Sequence, residues 1–242
     1  LNSFFHFKRF AIHQNQTAMK VSTEACLFGA WAPVENTRRI LDIGTGTSLL
    51  ALMLAQRQPE ATLDAVEIDE AAARQAAENV AASPFADRIR VFHQAIQDFA
   101  QFAIAAPQSE FVYDLIVSNP PFYQRSLYSS EAARNRALHA STLNFEELLS
   151  AVVRLLAPTG LFVVLLPPHE TTQLLGKATE RGLLLQKQLH VFSRRGGRLF
   201  RQVSVLGRTV ETVENETFSI QDSSGNYSPE YVRLLKEFYL KF

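Results

Sequence analysis

The sequence predicts an α/β protein whose mostly parallel sheet carries helices on both faces. Three observations predict it. Short apolar runs alternate with helix-length amphipathic runs through most of the chain, and parallel strands need crossovers of that length. A glycine-bearing turn joins the first such strand to the helix after it. Three polar residues, Asp42, Glu67 and Asn119, each stand at the carboxyl end of a predicted strand, the edge where sheets of this kind bind ligands.

The elements follow in order. Phe5 to Ile12 alternates imperfectly between apolar and polar residues, as a half-exposed strand does, and Ala18 to Val21 is expected to pair with it as an N-terminal hairpin. Ser22-Thr23-Glu24 offers caps for an apolar helix through Leu27 and Trp31, stopped by Pro33. Arg39 to Ile43 is a short buried strand, and a helix starts near Leu49 and runs to Gln58-Pro59. Ala61 to Glu67 is a second strand, followed by an alanine-rich helix from Asp69, its cap, to Ala82. Arg88 to Phe92 and Tyr113 to Val117 are the third and fourth strands, with Gln94 to Asp98 read as a ligand-facing loop, the alternative being that Asp98 only caps a short helix. Then come a helix over Phe145 to Leu156, a strand over Gly160 to Leu166 and a helix over Glu170 to Arg181. Leu183 to Phe192 and Gln202 to Arg208 close the sheet around an arginine- and glycine-rich turn. One domain over 1–242 is expected, with 1–34 as hairpin and helix and 35–242 as the core.

Composition narrows the functional classes. The chain is 47% hydrophobic and 20% charged, and it lacks an apolar run of the ~18 residues that a membrane span needs. Phe4 to Ile12 lacks the layout of a secretory signal. One cysteine, Cys26, excludes an internal disulfide and gives no metal-ligand cluster, so a metal-free protein of the reducing cytoplasm is expected. Lys+Arg and Asp+Glu both number 24, so any nucleic-acid surface must arise from local clustering. By default Lys8, Arg9 and Lys20 are solvated strand charges.

The glycine turn Asp42-Ile43-Gly44-Thr45-Gly46-Thr47-Ser48 identifies a cofactor by elimination. Glycines let a ligand approach the backbone, and the following helix presents free N–H groups. A dinucleotide fingerprint would need a third glycine where Leu49 stands, and a phosphate-binding Lys-Ser/Thr pair is missing. Instead Asp42 ends the strand, where positive charge is welcome and pyrophosphate is not. That points to S-adenosylmethionine. Glu67 lies about 20 residues on, the spacing of a ribose-binding acid.

The fourth strand runs into Asn119-Pro120-Pro121-Phe122. Neither proline has an N–H and each fixes its own φ, so the turn is stiff. It offers the Asn119 side-chain oxygen and the Pro120 carbonyl as fixed acceptors beside the Phe122 ring, which suits an NH2 group on a flat ring. An ordinary strand-ending turn is the alternative, since Asn-Pro is common punctuation.

Asp42, Gly44, Gly46 and Glu67, taken with Asn119-Pro120-Pro121-Phe122, resemble the class I S-adenosylmethionine-dependent amino-methyltransferases. Phe7 to Phe10, Ala18 to Val21, Gly29 to Pro33, Asn226 to Ser228 and Phe238 to Leu240 resemble more narrowly the bacterial valine-tRNA adenine-N6-methyltransferases. The resemblance spans nearly the whole chain. It implies a Rossmann-like sheet of seven strands with an antiparallel closing strand, and a monomer that methylates the adenosine 3′ of the anticodon. It implies Asp42, Gly44, Gly46, Glu67, Ile96 and Asn119 as cofactor contacts, and Asn119, Pro120, Pro121 and Phe122 as the catalytic turn. Two departures stand out: Ser48 where these enzymes often carry a third glycine, and Ala95 where many carry an acid near the adenine. Glutamine methyltransferases acting on proteins and DNA adenine methyltransferases share the proline turn and stay open as alternatives, as does an RNA-binding module with an idle cofactor site. Basic residues in the hairpin, between Arg125 and His139 (with Arg134 and Arg136) and from Arg194 to Arg201 favour RNA, since they can track phosphates.

Overall fold

In the computed structural model of the chain, residues 3–17, 19–105, 112–121, 144–209 and 212–242 are described. The main sheet is built from β3 (Arg39–Ile43), β4 (Thr62–Glu67), β5 (Ile89–His93), β6 (Tyr113–Ser118), β7 (Leu156–Leu166), β8 (Leu184–Arg194), β9 (Leu199–Gly207) and β10 (Glu214–Gln221). Their order across the sheet is β10-β8-β9-β7-β6-β3-β4-β5. Only β9 runs antiparallel to its neighbours, β7 and β8. The expected α/β sheet with one antiparallel closing strand is therefore present, with an eighth strand beyond the expected seven. That strand, β10, pairs in parallel with β8 at the edge and is exposed over its first four residues. Its polar sequence Glu-Asn-Glu-Thr carries none of the alternation by which a half-buried strand is read.

Helices α1 (Thr23–Trp31), α2 (Leu49–Arg57), α3 (Glu70–Ala81), α4 (Ile96–Ala105), α5 (Phe145–Leu155), α6 (Pro168–Thr179) and α7 (Pro229–Leu235) complete the described elements. The strands are apolar on both sides because both faces are covered. Ile40, Leu115, Val117, Val163 and Leu165 pack with α1 and α2. Leu41, Ile116, Phe162 and Val164 pack with α4, α5 and α6 on the other face. The Gly29 to Pro33 segment has a packing reason: a Cβ on Gly29 would stand 2.7 Å from Met53 Sδ, so the glycine lets α1 lie close against α2.

The hairpin forms, with a different turn from the one expected. Strands β1 (Phe4–His6) and β2 (Ala11–His13) pair antiparallel within the first predicted strand, Phe4 opposite His13. The Phe7 N–H donates to the Phe10 carbonyl at 2.8 Å and the two rings stack at 4.6 Å, closing a turn whose tip is Lys8-Arg9. Residues 19–21 are not strand. The hairpin docks on the C-terminal segment: Phe7 bridges to Tyr239, and the Lys8 N–H donates to the Phe238 carbonyl at 2.8 Å. Ser228 caps α7, and the Tyr231 and Tyr239 hydroxyls meet at 2.9 Å. The terminal motifs thus join the two ends of the chain.

Candidate cofactor and acceptor site

Sheet register brings the predicted residues to one place. Ile43 lies beside Val66 of β4 and Ser118 of β6, so Gly44, Glu67 and Asn119 follow at one level on three adjacent strands. The Ser118 hydroxyl donates to the Ile43 carbonyl at 2.9 Å and is fully buried, which ties the proline turn to the glycine turn. Sequence reading places Ser118 at the head of the proline turn but misses its role, since a serine ending a strand is usually solvated.

Gly44 and Gly46 have φ of +71° and +58°, and a Cβ on either would meet nothing within 4 Å, so the turn is open above both. Ser48 takes the left-handed conformation that a glycine would adopt freely, with φ of +62°, as the residue preceding α2. Glu67 Oε2 accepts from the Gly46 N–H at 2.8 Å and Oε1 from the Asp69 N–H at 3.0 Å, so it also shapes the glycine turn. Asp69 caps α3 through the Ala72 N–H, as expected.

Asp42 is buried, and Thr45 donates its hydroxyl to Oδ2 at 2.6 Å. Oδ1 is buried with no hydrogen-bond partner of good geometry among the described residues. Burial pushes the Asp42 pKa up from the ordinary 3.8 to about 7; the Thr45 hydroxyl and the Ala51 N–H offset part of this, and the nearby Glu67 charge adds to it. A buried carboxylate oxygen without a well-formed hydrogen bond, beside an open glycine turn, fits a cationic ligand, and so fits S-adenosylmethionine.

Ile96 opens α4 and is buried in the core with Phe99 and Val66, so the stretch read as a loop from Gln94 to Asp98 is already helical from Ile96, with Asp98 in the first turn. Ile68, beside Glu67, is instead the exposed apolar residue here, at 51%. Asn119 is half-buried, Pro120 buried and Pro121 exposed. Phe122, and with it Arg125, Arg134, Arg136 and His139, lies outside the described residues. No helix among the described residues is long and apolar enough to cross a membrane, and they hold no group of three or more potential metal ligands.

A second missed residue is Asn79. It is fully buried on α3; its Oδ1 accepts from the His13 N–H at 2.8 Å, and its Nδ2 donates to the carbonyls of His13 at 2.9 Å and Thr47 at 3.0 Å. One turn earlier Gln75 accepts from the Gln16 N–H at 2.9 Å. The segment after the hairpin is thereby fastened to the glycine turn.

Comparison with known proteins accords with this geometry. Residues 24–177 match the model of the methyltransferase small domain. The chain is 45% identical to the tRNA1(Val) (adenine(37)-N6)-methyltransferase of Dyadobacter fermentans, over 100% of this chain and 99% of that protein. It is 42% identical to the protein of the same name from Tolumonas auensis, over 98% and 97%. Among solved structures, a predicted O-methyltransferase from Agrobacterium tumefaciens superposes with a TM-score of 0.62 at 18% identity, covering 88% of this chain and 95% of that one. The likeness to the solved structure is one of fold, and at full-length identity above 40% the relationship to the two sequence relatives is one of family: the chain belongs to the methyltransferase small domain family, in the branch of the bacterial tRNA1(Val) (adenine-N6)-methyltransferases.

Proposed function

We propose that this chain transfers a methyl group from S-adenosylmethionine to the exocyclic N6 amine of an adenosine in tRNA, the adenosine 3′ of the anticodon of valine tRNA. One observation carries the reading: Asn119 and Pro120, two neutral acceptors in a stiff turn, start where β6 ends, level with the glycine turn and tied to it by Ser118. The names and full-length identity of the relatives support the choice of substrate. When bound, S-adenosylmethionine supplies an electrophilic methyl on a sulfonium centre.

The adenine nitrogen is a poor nucleophile because its lone pair is delocalised into the ring. In this reading Asn119 Oδ1 and the Pro120 carbonyl each accept one of its N–H bonds, which favours a pyramidal amine with the lone pair aimed at the methyl. The same acceptors stabilise the positive charge that grows on nitrogen, so their benefit rises towards the transition state. A base that removes the proton beforehand is unnecessary. Asp42 and Glu67 then serve the cofactor, Glu67 at the ribose hydroxyls and Asp42 towards its positive end. Phe122 is assigned to stacking on the target base once it leaves its loop. The protein is proposed to act as a monomer in the cytoplasm, a reducing compartment that suits a lone buried Cys26.

Incubation with methyl-labelled S-adenosylmethionine and total tRNA tests the proposal. Label recovered from RNA as N6-methyladenosine is the expected result. Label in protein, in DNA or nowhere would instead select one of the rival activities.

A further inference from the structure

We propose that the outer face of the N-terminal hairpin is a stacking platform for an unpaired base of the RNA substrate, formed by Phe4, His6 and His13. The inference rests on the RNA reading above and adds the surface that meets the RNA away from the reacting atoms.

Strand alternation makes the platform. In β1, Phe5 turns inward against Phe7 and Tyr239, while Phe4 and His6 face outward. In β2, Ile12 is buried and His13, directly opposite Phe4, is exposed. The Phe4 ring lies 4.9 Å from His6 in an edge-to-face arrangement and 6.3 Å from His13, and all three residues are exposed. Phe4 is 45% exposed, with the two histidines as its ring neighbours, so the three form a small exposed aromatic cluster.

The charge around these rings specifies the partner. Residues 1–23 hold Lys8, Arg9 and Lys20 and not one Asp or Glu, in a chain whose 24 acids otherwise balance its 24 bases. Lys8 and Arg9 form the exposed hairpin tip, Arg9 with its guanidinium 5.1 Å from the Phe85 ring centre. Exposed rings on a segment that has no acid of its own and a cationic tip match unpaired nucleotides, whose bases stack on any aromatic face and whose phosphates seek cations.

The hairpin is also fixed relative to the site. His13 has both backbone polar groups held by Asn79, and the same carboxamide holds the Thr47 carbonyl in the glycine turn. A base resting on His13 and Phe4 is therefore registered against the cofactor turn through one buried side chain.

Equilibrium binding of an unmodified tRNA transcript across a salt series, using the full chain, separates stacking from charge. Phe4→Ala is expected to weaken binding roughly fivefold to a hundredfold at every salt concentration, with the slope of log K against log salt unchanged. Phe4→Tyr keeps the ring and is expected to stay near the parent. Lys8→Ala with Arg9→Ala is expected to make the slope shallower by about 1 to 2. Binding of adenosylhomocysteine should not change in any of them. The platform is overturned if the parent binds tRNA and Phe4→Ala binds it equally well. It is also overturned if Phe4→Tyr loses as much as Phe4→Ala, or if adenosylhomocysteine affinity falls in step. A parent that binds no tRNA refutes the RNA reading itself.

Discussion

Asp42→Asn is expected to stabilise the ligand-free protein at alkaline pH while weakening its hold on S-adenosylmethionine. The carboxyl titrates near 3.8 when ordinary and near 7 in the fold, chiefly because it is buried. Between those values the native state binds more protons than the unfolded one, so stability falls as pH rises, and the loss levels off above the folded pKa. At about 1.4 kcal/mol per tenfold change in proton affinity, the whole gap amounts to about 4 kcal/mol, of which about 2–3 kcal/mol falls between pH 5 and pH 8. Asparagine keeps the shape and the acceptor for Thr45 but does not titrate. Urea unfolding of the ligand-free parent and variant at intervals from pH 5 to pH 8 reads the difference directly, and the variant's advantage should grow by that amount. The cofactor arm has the opposite sign. A cationic ligand beside Asp42 favours the carboxylate, so binding near pH 6 should expel close to one proton, seen as a buffer-dependent enthalpy in calorimetry. Above pH 8, and in the variant, that release should vanish. Stability profiles that run parallel for parent and variant would refute the buried-acid argument.

Glu67→Ala should weaken S-adenosylmethionine and adenosylhomocysteine alike by roughly tenfold to a hundredfold, the worth of a charge-assisted hydrogen-bond pair, because both ligands carry the ribose; equal calorimetric affinity in mutant and parent removes the assignment. Asn119→Ala should lower kcat for methyl transfer roughly a hundredfold with cofactor affinity nearly unchanged, the pattern of a contact made mainly in the transition state; normal turnover would take Asn119 out of the mechanism. Replacing Arg194, Arg195 and Arg198 together by Ala should raise KM for tRNA and flatten its salt slope by about 2, leaving cofactor binding untouched; superimposable salt titrations would make these arginines mere solubilising charges. Arg201 does not belong with them because its side chain is largely buried, whereas Arg195, which pairs with Glu230 at 3.6 Å, is exposed.

What was legible in the sequence was whatever depends on neighbours in the chain. The strand, turn and helix around Gly44, the acid at Glu67 and the proline turn at Asn119 are local patterns, and strand register then placed them side by side. Asn79 was illegible because its meaning lies 66 residues away at His13; within an alanine-rich helix an asparagine reads as part of the solvated face. Ser118 hides likewise, its partner Ile43 being 75 positions distant. The hairpin turn was misplaced because Lys8-Arg9 fits a strand's polar alternation as well as a turn, and only the Phe7–Phe10 stack decides between them. At Ile96 the loop expected from the sequence is instead the first turn of a helix, because its side chain packs in the core with Phe99 and Val66.

The balance of charge has a consequence for a chain that must hold a cation and a polyanion at once. Uniform mixing of 24 acids with 24 bases would serve neither ligand. Around the strand ends the signs are instead separated by depth. Asp42 and Glu67 are buried at the strand ends, where a carboxylate acts strongly over a few ångströms. The cations of the hairpin tip and of Arg194, Arg195 and Arg198 are exposed. The β8–β9 turn stands at the carboxyl edge because β8 runs parallel to the strands that end in the site. At physiological salt a charge is screened over about 8 Å, so exposed cations need not cancel the buried acids, nor the acids repel the phosphates at the rim. The acceptor turn then does best with neutral groups. An amide oxygen at Asn119 and a carbonyl at Pro120 accept N–H bonds without adding a third carboxylate beside two others, one of which already binds its proton up to about pH 7.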